Sequence, residues 1–447
     1  MMGEQSHFVS SVSAVHTMLQ SDTSPIASLR RKAFEKFLEL GIPTSKNEDW
    51  KYTSLQSLSR TSFVLAGTPE RAITRDQIAA YFLEGASRLV FVNGRFAEEL
   101  SSAEIIGSSK SVVIETLANL VQPNPQDTES AALLAEKMGS VASIESHPFV
   151  ALNTALAADG AFIRLRAGTA LERPIQLVFV TSDDQEGVTI PLRNTILCEK
   201  AAQGRIVETF IGSGENRYLT SHVTEIICEQ DAKLDHTRTQ LESQQAHHIS
   251  NLHVRLAQRS NFSSHVFSFG AELARNEIHP VLDGEHIECY LNGLTVIHED
   301  QHIDNSTVID HAKPNCFSRE VYKGIYAGQS RGVFSGTIIV RPDAQKTNAI
   351  QSNQTLLLTE DASIDTRPQL KIWADDVKCT HGATVGQLDN NALFYLRSRG
   401  ISREEARNML IHAFASDIVS YVQDAALREQ LEGWLQTRLE ENVVVSN

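Results

Sequence analysis

From residue 146 to about 375 the sequence carries no amphipathic helical period, only short β-branched and aromatic runs separated by Gly, Asp, Asn or Pro. FIRLR, IQLVFVT, VTIPLRNTIL, RIVETFI and LTSHVTEII are followed by KLDHTRTQLE, NLHVRLAQ, SSHVFSFG, YLNGLTVI, HIDNSTVI and GVFSGTIIV. A β-sandwich is complete in about 100 residues, so more than two hundred residues of strands call for two sandwiches in tandem or for a β-solenoid. The solenoid is the reading favoured here. No hexapeptide or glycine-rich nonapeptide repeat is present, so its rungs are expected to be irregular.

Helical patterns flank this stretch. In PIASLRRKAFEKFLELG (Pro25 to Gly41), Ile26, Leu29, Ala33, Phe37 and Leu40 recur at spacings of three and four, which predicts a helix stopped at Gly41. SAALLAEKMGSVA reads as a further helix, and Asn47, Glu48 and Asp49 can cap a turn ahead of Trp50 and Tyr52. After Gly386, Leu388, Ala392, Tyr395, Leu396 and Arg399 run at turn spacing up to Gly400. Ser402 and Glu405 then form a capping box, and Leu427, Leu431, Trp434, Leu435 and Leu439 share the face of a last helix. The organisation expected is a mainly helical region over 1–145, a strand core over 146–376 and a helical region over 377–447.

Composition bounds the function. With 40 Lys+Arg against 55 Asp+Glu the formal charge is −15, which argues against a generic nucleic acid or anionic-membrane partner. No apolar run approaches the roughly 20 residues that cross a bilayer, and MMGEQSHFVS lacks a secretory pattern, so a soluble cytoplasmic protein is expected. Five widely spaced cysteines, Cys198, Cys228, Cys289, Cys316 and Cys379, fit reduced thiols better than a disulfide framework.

Twelve of the sixteen histidines lie between His222 and His381, and most read as strand decoration. His302 and His311, with Asp304 and Asp310 between them, can share a metal only if the strand ends are brought together. His247 and His248 are expected on opposite strand faces. Cys379-Thr380-His381 differs in kind, because a Cys-x-His in extended backbone sets a thiol and an imidazole on one face, a pair able to hold iron or zinc. The pair is incomplete as a cluster site, and the remaining ligands would come from distant strands such as those of Cys289 or Cys316, or from another subunit. A buried structural cysteine beside a hydrogen-bonded histidine is the alternative. Phosphate-loop, dinucleotide, Gly-x-Ser-x-Gly and His-Glu-x-x-His signatures are missing, so hydrolysis of nucleotide by this chain is not expected.

NEDWKYTSL (Asn47 to Leu55), QHIDNSTVIDHAKPNCFSREVYKGIYAG (Gln301 to Gly328), the segment Gln345 to Asp389 and ALFYLRSRGIS (Ala392 to Ser402) together resemble the SufB/SufD family of iron-sulfur cluster assembly proteins. The KC-S/T-HGATVGQLD form of the carboxy-terminal motif, present as Lys378 to Asp389, is that of the SufD branch, where SufB proteins carry a Glu-His-Glu-Ala-Thr-Thr type sequence. The resemblance implies a right-handed parallel β-helix flanked by amino-terminal and carboxy-terminal helical regions. It implies a non-enzymatic scaffold that pairs with SufB through the β-helices and docks the ATPase SufC on its carboxy-terminal helices. ATP-driven closure of SufC would then expose a transient iron-sulfur cluster site shared with SufB. By the family motif His381 is the residue implied at that cluster, and Cys379 its neighbour, for which packing is an equal reading. Phe394, Tyr395 and Arg399 fall in the first helix presented to SufC, unless their rings only cover the end of the β-helix. A reduced flavin is implied for such complexes, but no flavin fingerprint is present and no site is assigned. The alternatives are a β-helix carbohydrate-active enzyme using acids such as Asp304 and Asp310, or a standalone iron-binding homodimer.

Overall fold

The computed structural model describes residues 15, 17–61, 63–102, 106–182 and 186–444, so the reading placed on the first ten residues lies outside it. Among the described residues the strands form an 11-stranded and a 10-stranded sheet, and the chain alternates between them. Val188–Cys198, Tyr218–Cys228 and His247–Leu256 stack in the first sheet, while Gln203–Gly212, Lys233–Leu241 and Asn261–Ser268 stack in the second. Each strand pairs in parallel with the strand two places on, and the ladder continues to Ser363–Ile372 and Lys378–Gly386. Tandem sandwiches would pair antiparallel neighbours. The fold is a parallel β-solenoid flanked by amino-terminal and carboxy-terminal helices.

The rungs repeat at their corners rather than in their residues. Ala201, Asp231, Arg259, His286, Asn315 and Lys346 all have positive φ and follow one another at intervals of 27 to 31 residues. The amides of Ala201, Asp231, Arg259, Asn315 and Lys346 each bond a corner carbonyl one turn on, as from Ala201 to Gln230 at 2.9 Å and from Lys346 to Asp376 at 2.7 Å. Between corners, alternate side chains turn inward and pack as Phe262, Val266, Leu252, Ile278, Leu291 and Ile303. Gly324 and Gly332 make room for the Tyr326 ring, since a Cβ at either would come within 2.4 Å of it.

The interior is not wholly apolar. Glu208, fully buried, accepts hydrogen bonds from Arg238 Nε and Nη2 at 3.0 Å each, His236 Nε2 at 3.2 Å, Asn194 Nδ2 at 2.9 Å and Thr224 Oγ1 at 2.7 Å. Burial by itself would raise this carboxyl, but the charges and hydrogen bonds of His222, Arg238 and His236 hold it well below the usual carboxylate range. These five donors come from both sheets, so the cluster ties one wall of the solenoid to the other.

Both outer faces are covered. Ala33, Phe34 and Phe37 of Ala27–Leu40, with Trp50 and the helix Pro148–Leu156, pack on Leu219, Val223 and Ile249 of the first sheet. Leu40, expected on the buried stripe, faces solvent, and Phe34 lies in the core instead. Ile411, Ala415 and Ile418 of Arg403–Val419, and Leu427, Leu431 and Leu435 of Ala425–Val444, pack on Phe267, Leu294 and Val321 of the second sheet. The capping box at Ser402 and Glu405 is formed, with the Glu405 amide donating to the Ser402 hydroxyl at 3.1 Å. Three features depart from the expected boundaries. Pro148–Leu156, expected within the strand core, is a helix opened by Pro148 and buried from Phe149 onward, so the strands begin at Ala161. Ser87–Val92 pairs in parallel with Ile175–Thr181, so part of the amino-terminal region belongs to the second sheet. Lys378–Gly386 pairs in register with Asn348–Leu356, so the solenoid runs on to Gly386, beyond residue 376.

Removing Arg238 while leaving Glu208 strands a buried charge, a loss of about 3–5 kcal/mol. Arg238→Met should therefore lower the urea midpoint sharply, and adding Glu208→Gln should recover much of it; equal loss in the single and double variants would contradict this account.

Candidate functional site

The two ends of the solenoid differ. At the amino-terminal end both sheets finish in antiparallel strands: Val112–Thr116 beside Ala161–Leu165, then the two-residue Gly107–Ser108, in the first, and the two-residue Arg95–Phe96 beside Ser87–Val92 in the second. At the other end Ser363–Ile372 and Lys378–Gly386 have a strand partner on one side only among the described residues. A solenoid rung without a neighbour presents free backbone donors and acceptors along with its inward side chains. Ile350, Ile372, Trp373 and Val385 are exposed around this end, with Trp373 at 60%. Pro368 and Lys371 interrupt one edge and Lys378 begins the other, features that discourage indiscriminate strand addition.

Cys379 and His381 both lie on this last strand and share its inward face, as the Cys-x-His spacing predicts. Their surroundings separate them. Cys379 packs at the margin of a small cluster made by Ile338, Val340, Ala344, Ala349 and Ala374. Burial raises its thiol above the ordinary range, only partly offset by a backbone hydrogen bond from Ala349, so it is a protonated thiol at neutral pH. His381 is exposed, opposite Gln351 in register. The structure does not bring Cys289 or Cys316 to this pair. Cys289 lies three strands inward on the Cys379 column, about 14 Å at ordinary strand spacing, and Cys316 Sγ donates to the Gly284 carbonyl at 3.1 Å.

The other histidine candidates are structural. His302 and His311 sit at opposite ends of a ten-residue strand and on opposite faces. His302 Nε2 meets the Thr53 hydroxyl at 3.1 Å, and His311 Nε2 meets Ser318 Oγ at 2.9 Å. His247 turns outward to Ser57 and His248 inward to Glu242, at 3.0 and 2.7 Å. Asp304 and Asp310 are held by Arg275 and Arg341, which leaves them without the free acid pair a carbohydrate-active site would need.

A residue missed in the sequence stands beneath His381. In register the column reads Glu320, Gln351, His381. Gln351 Nε2 donates to Glu320 Oε2 at 2.7 Å, and both side chains are buried, while Gln351 Oε1 has no partner. Burial pushes the Glu320 carboxyl up to about 7, against hydrogen bonds from Thr307 and Gln351. The exposed imidazole is thus backed by an amide and by a buried acid that changes charge near neutral pH. Nothing in REVYKG distinguishes Glu320 from an outward-facing strand acid; only the rung register shows that it faces inward.

The helix Asn390–Ser398 follows directly and buries none of its residues. Phe394 is 72% exposed and Tyr395 is also exposed, so neither ring caps the solenoid. Arg399 lies just past the helix, its guanidinium 4.4 Å from the Tyr395 ring centroid and donating to the Tyr395 hydroxyl. No described helix is long and apolar enough to cross a membrane.

A parallel solenoid with flanking helices, whose last two strands lack a neighbour on one side among the described residues and carry a cysteine-histidine pair, defines the class, a β-solenoid protein with an open carboxy-terminal end. Two family models match, the SUF system FeS cluster assembly SufBD core domain over residues 179–414 and the SufBD protein N-terminal region over residues 2–177. The chain belongs to the SufB/SufD family of iron-sulfur cluster assembly proteins. It is 30% identical to the iron-sulfur cluster assembly protein SufD of Escherichia coli over 95% of this chain and 96% of that protein. An iron-sulfur cluster assembly SufBD family protein of Synechocystis is 31% identical over 94% and 92% of the two chains, and the chloroplastic protein ABCI7 of Arabidopsis thaliana 30% over 92% and 85%.

The raised carboxyl gives a signed pH dependence. The folded Glu320 keeps its proton to about pH 7, whereas its ordinary value is 4.5. The folded state therefore binds more protons across that window, and this contribution to stability falls as pH rises, by about 3 kcal/mol at most. The urea midpoint of Glu320→Gln, measured relative to the parent, should climb from pH 5 to pH 8; parallel profiles would contradict the assignment.

Proposed function

We propose that this chain is the SufD-like subunit of a SUF assembly complex, a non-enzymatic scaffold of the cytoplasm. It pairs end to end with SufB across the open rung and carries SufC on the helices after Gly386. The observation that carries the reading is the unpaired edge of Lys378–Gly386, with His381 exposed on it amid Ile350, Ile372, Trp373 and Val385. An edge of this kind gains a neighbour most readily from another solenoid of the same rung geometry, which family relatives supply. In that junction His381 is one ligand to a transient cluster, and SufB contributes the others, because the cysteines of this chain other than Cys379 are buried away from the edge. Cys379 supports the rung by packing. A second copy can add to the same edge, so the isolated chain is expected to form a homodimer.

Phe394, Tyr395 and Arg399 make a solvent-facing aromatic and cationic patch beside the junction, suited to a docked partner. SufC seated there would convert ATP-driven closure into strain on the adjacent edge, which needs a bistable interface and no catalytic group in this chain.

Anaerobic co-expression with SufB and SufC tests these roles separately. The parent should yield one particle holding all three proteins together with iron and acid-labile sulfide. His381→Ala should assemble equally but lose its cluster; unchanged iron and sulfide would place every ligand in SufB. Phe394→Asp, at a position whose substitution should cost under about 0.5 kcal/mol, should retain SufB and release SufC, and full retention of SufC would contradict the docking assignment.

A further inference from the structure

Where the amino-terminal helices meet the first sheet, a group of imidazoles and a carboxylate converges far from the open rung in sequence and on a different surface. His147 precedes the helix Pro148–Leu156, and its side chain makes no capping bond there. Glu277 and His279 lie two apart on Leu273–Leu282, so both point to the outer face of the strand, and His253 stands beside His279 in register on the neighbouring strand. His147 Nδ1 lies 3.7 Å from Glu277 Oε2, and His279 Nε2 lies 4.0 Å from the same carboxylate oxygen. The ligand atoms of His147, Glu277 and His279 are all within 4.8 Å of one another. Donors bonded to one ion at about 2.0–2.2 Å stand roughly 3–4 Å apart, so small side-chain rotations close this group around a metal.

The carboxylate is held for that purpose. Arg275 Nε donates to Glu277 Oε1 at 2.7 Å, which leaves Oε2 turned toward the imidazoles. Arg275 also bonds Asp304, which accepts from the Thr53 hydroxyl, and its guanidinium lies 4.0 Å from the Trp50 ring centroid. Trp50 in turn packs on Phe149, next to His147, with ring centroids 5.5 Å apart. The NEDWKYTSL segment thus clamps the arginine that orients Glu277, the kind of outer support that metal-ligating carboxylates have. The guanidiniums near the group are neutralised, Arg275 by Glu277 and Asp304 and Arg193 by Glu225, so neither is a free cation opposing an ion.

A second observation points to a missing ligand. Nε2 of His279 and Nε2 of His253 are both shut away from water and have no hydrogen-bond partner, and His253 is only 4% exposed. The rings of His253 and His279 stack at 4.9 Å, and His147 sits edge-on to both at 5.2 and 5.1 Å. Buried nitrogens of this kind are ordinarily satisfied. We propose that His147, Glu277 and His279 bind one divalent first-row transition-metal ion of the zinc or iron(II) class, with His253 packed behind His279. Two imidazoles and one carboxylate are a ligand set that leaves coordination positions open to water. The ion would pin the helix Pro148–Leu156 to the strand Leu273–Leu282.

The test uses the full-length, untagged chain with Co²⁺ and Zn²⁺ as probes. Co²⁺ should produce a visible absorption band that saturates at one equivalent and is displaced by Zn²⁺. Glu277→Gln and His279→Gln should each weaken Zn²⁺ binding by about tenfold or more in competition with a chromophoric chelator, while His381→Ala leaves it unchanged, which keeps this site distinct from the proposed cluster ligand. His147→Gln, at a partly exposed position, should lose the Zn²⁺-induced rise in melting temperature with unaltered circular dichroism. Absence of saturable one-equivalent binding in the parent, or parental affinity in the variant lacking both Glu277 and His279, would overturn the proposal.

Discussion

Parallel pairing between successive rungs is the constraint on which the rest of this structure depends. Each strand takes its hydrogen bonds from the rung before and offers its other edge to the rung after, so a solenoid cannot satisfy its own last rung. The amino-terminal end turns antiparallel and tapers, its outermost strands, Gly107–Ser108 and Arg95–Phe96, being two residues long. The carboxy-terminal end does not. Its last strands, ten and nine residues long, are one-sided among the described residues, and the chain turns away into helices, of which Arg403–Val419 and Ala425–Val444 lie along the outer face of the second sheet.

The same register that creates the open edge fills the interior. A slip of one residue would turn every inward side chain outward, and the cluster around Glu208 opposes such a slip, because its donors Arg238, His236, Asn194 and Thr224 come from strands of both sheets. Further along, Glu320 and Gln351 continue the inward column to His381. Interior and edge are therefore parts of one ladder, and the chemistry offered at the end is set by side chains buried one and two rungs below. Lys323 joins the helices to the same ladder, its Nζ 2.8 Å from Asp417 and donating to the Phe414 carbonyl at 3.2 Å. Those helices are thus bonded to the strand Phe317–Tyr326, which carries Glu320.

Much of this was legible from the residues. The strand runs from Ala161 onward, the helix ending at Gly41, the Ser402 capping box and the shared face of Cys379 and His381 all follow from local periodicity and capping chemistry, which depend on near neighbours in sequence, whereas the helix Pro148–Leu156 was missed because it is buried on every side from Phe149 onward and shows no amphipathic period. The solenoid's repeat was not legible, because it resides in backbone conformation: the positive-φ corners are occupied by Ala, Asp, Arg, His, Asn and Lys, with no common side chain. The role of Glu320 was hidden for a related reason, since alternation assigns a face but only rung register says which face is interior. His147, Glu277 and His279 come from segments more than a hundred residues apart, and Glu-x-His on a strand is too common a pair to single out alone. Spacing alone supplies Cys379 and His381 as an incomplete pair, and the family motif is what singles out His381 for the proposed role.

The most direct measurement of the central claim is amide hydrogen exchange over Lys378–Gly386 and Ser363–Ile372, in the isolated chain under monomeric conditions and in complex with SufB. If the open rung is the junction, these edge amides exchange quickly in the monomer and become protected in the complex, while the closed strands around Val112–Thr116 are unchanged. Formation of a stable complex with no added protection along either edge strand would contradict the account and move the interface elsewhere on the molecule.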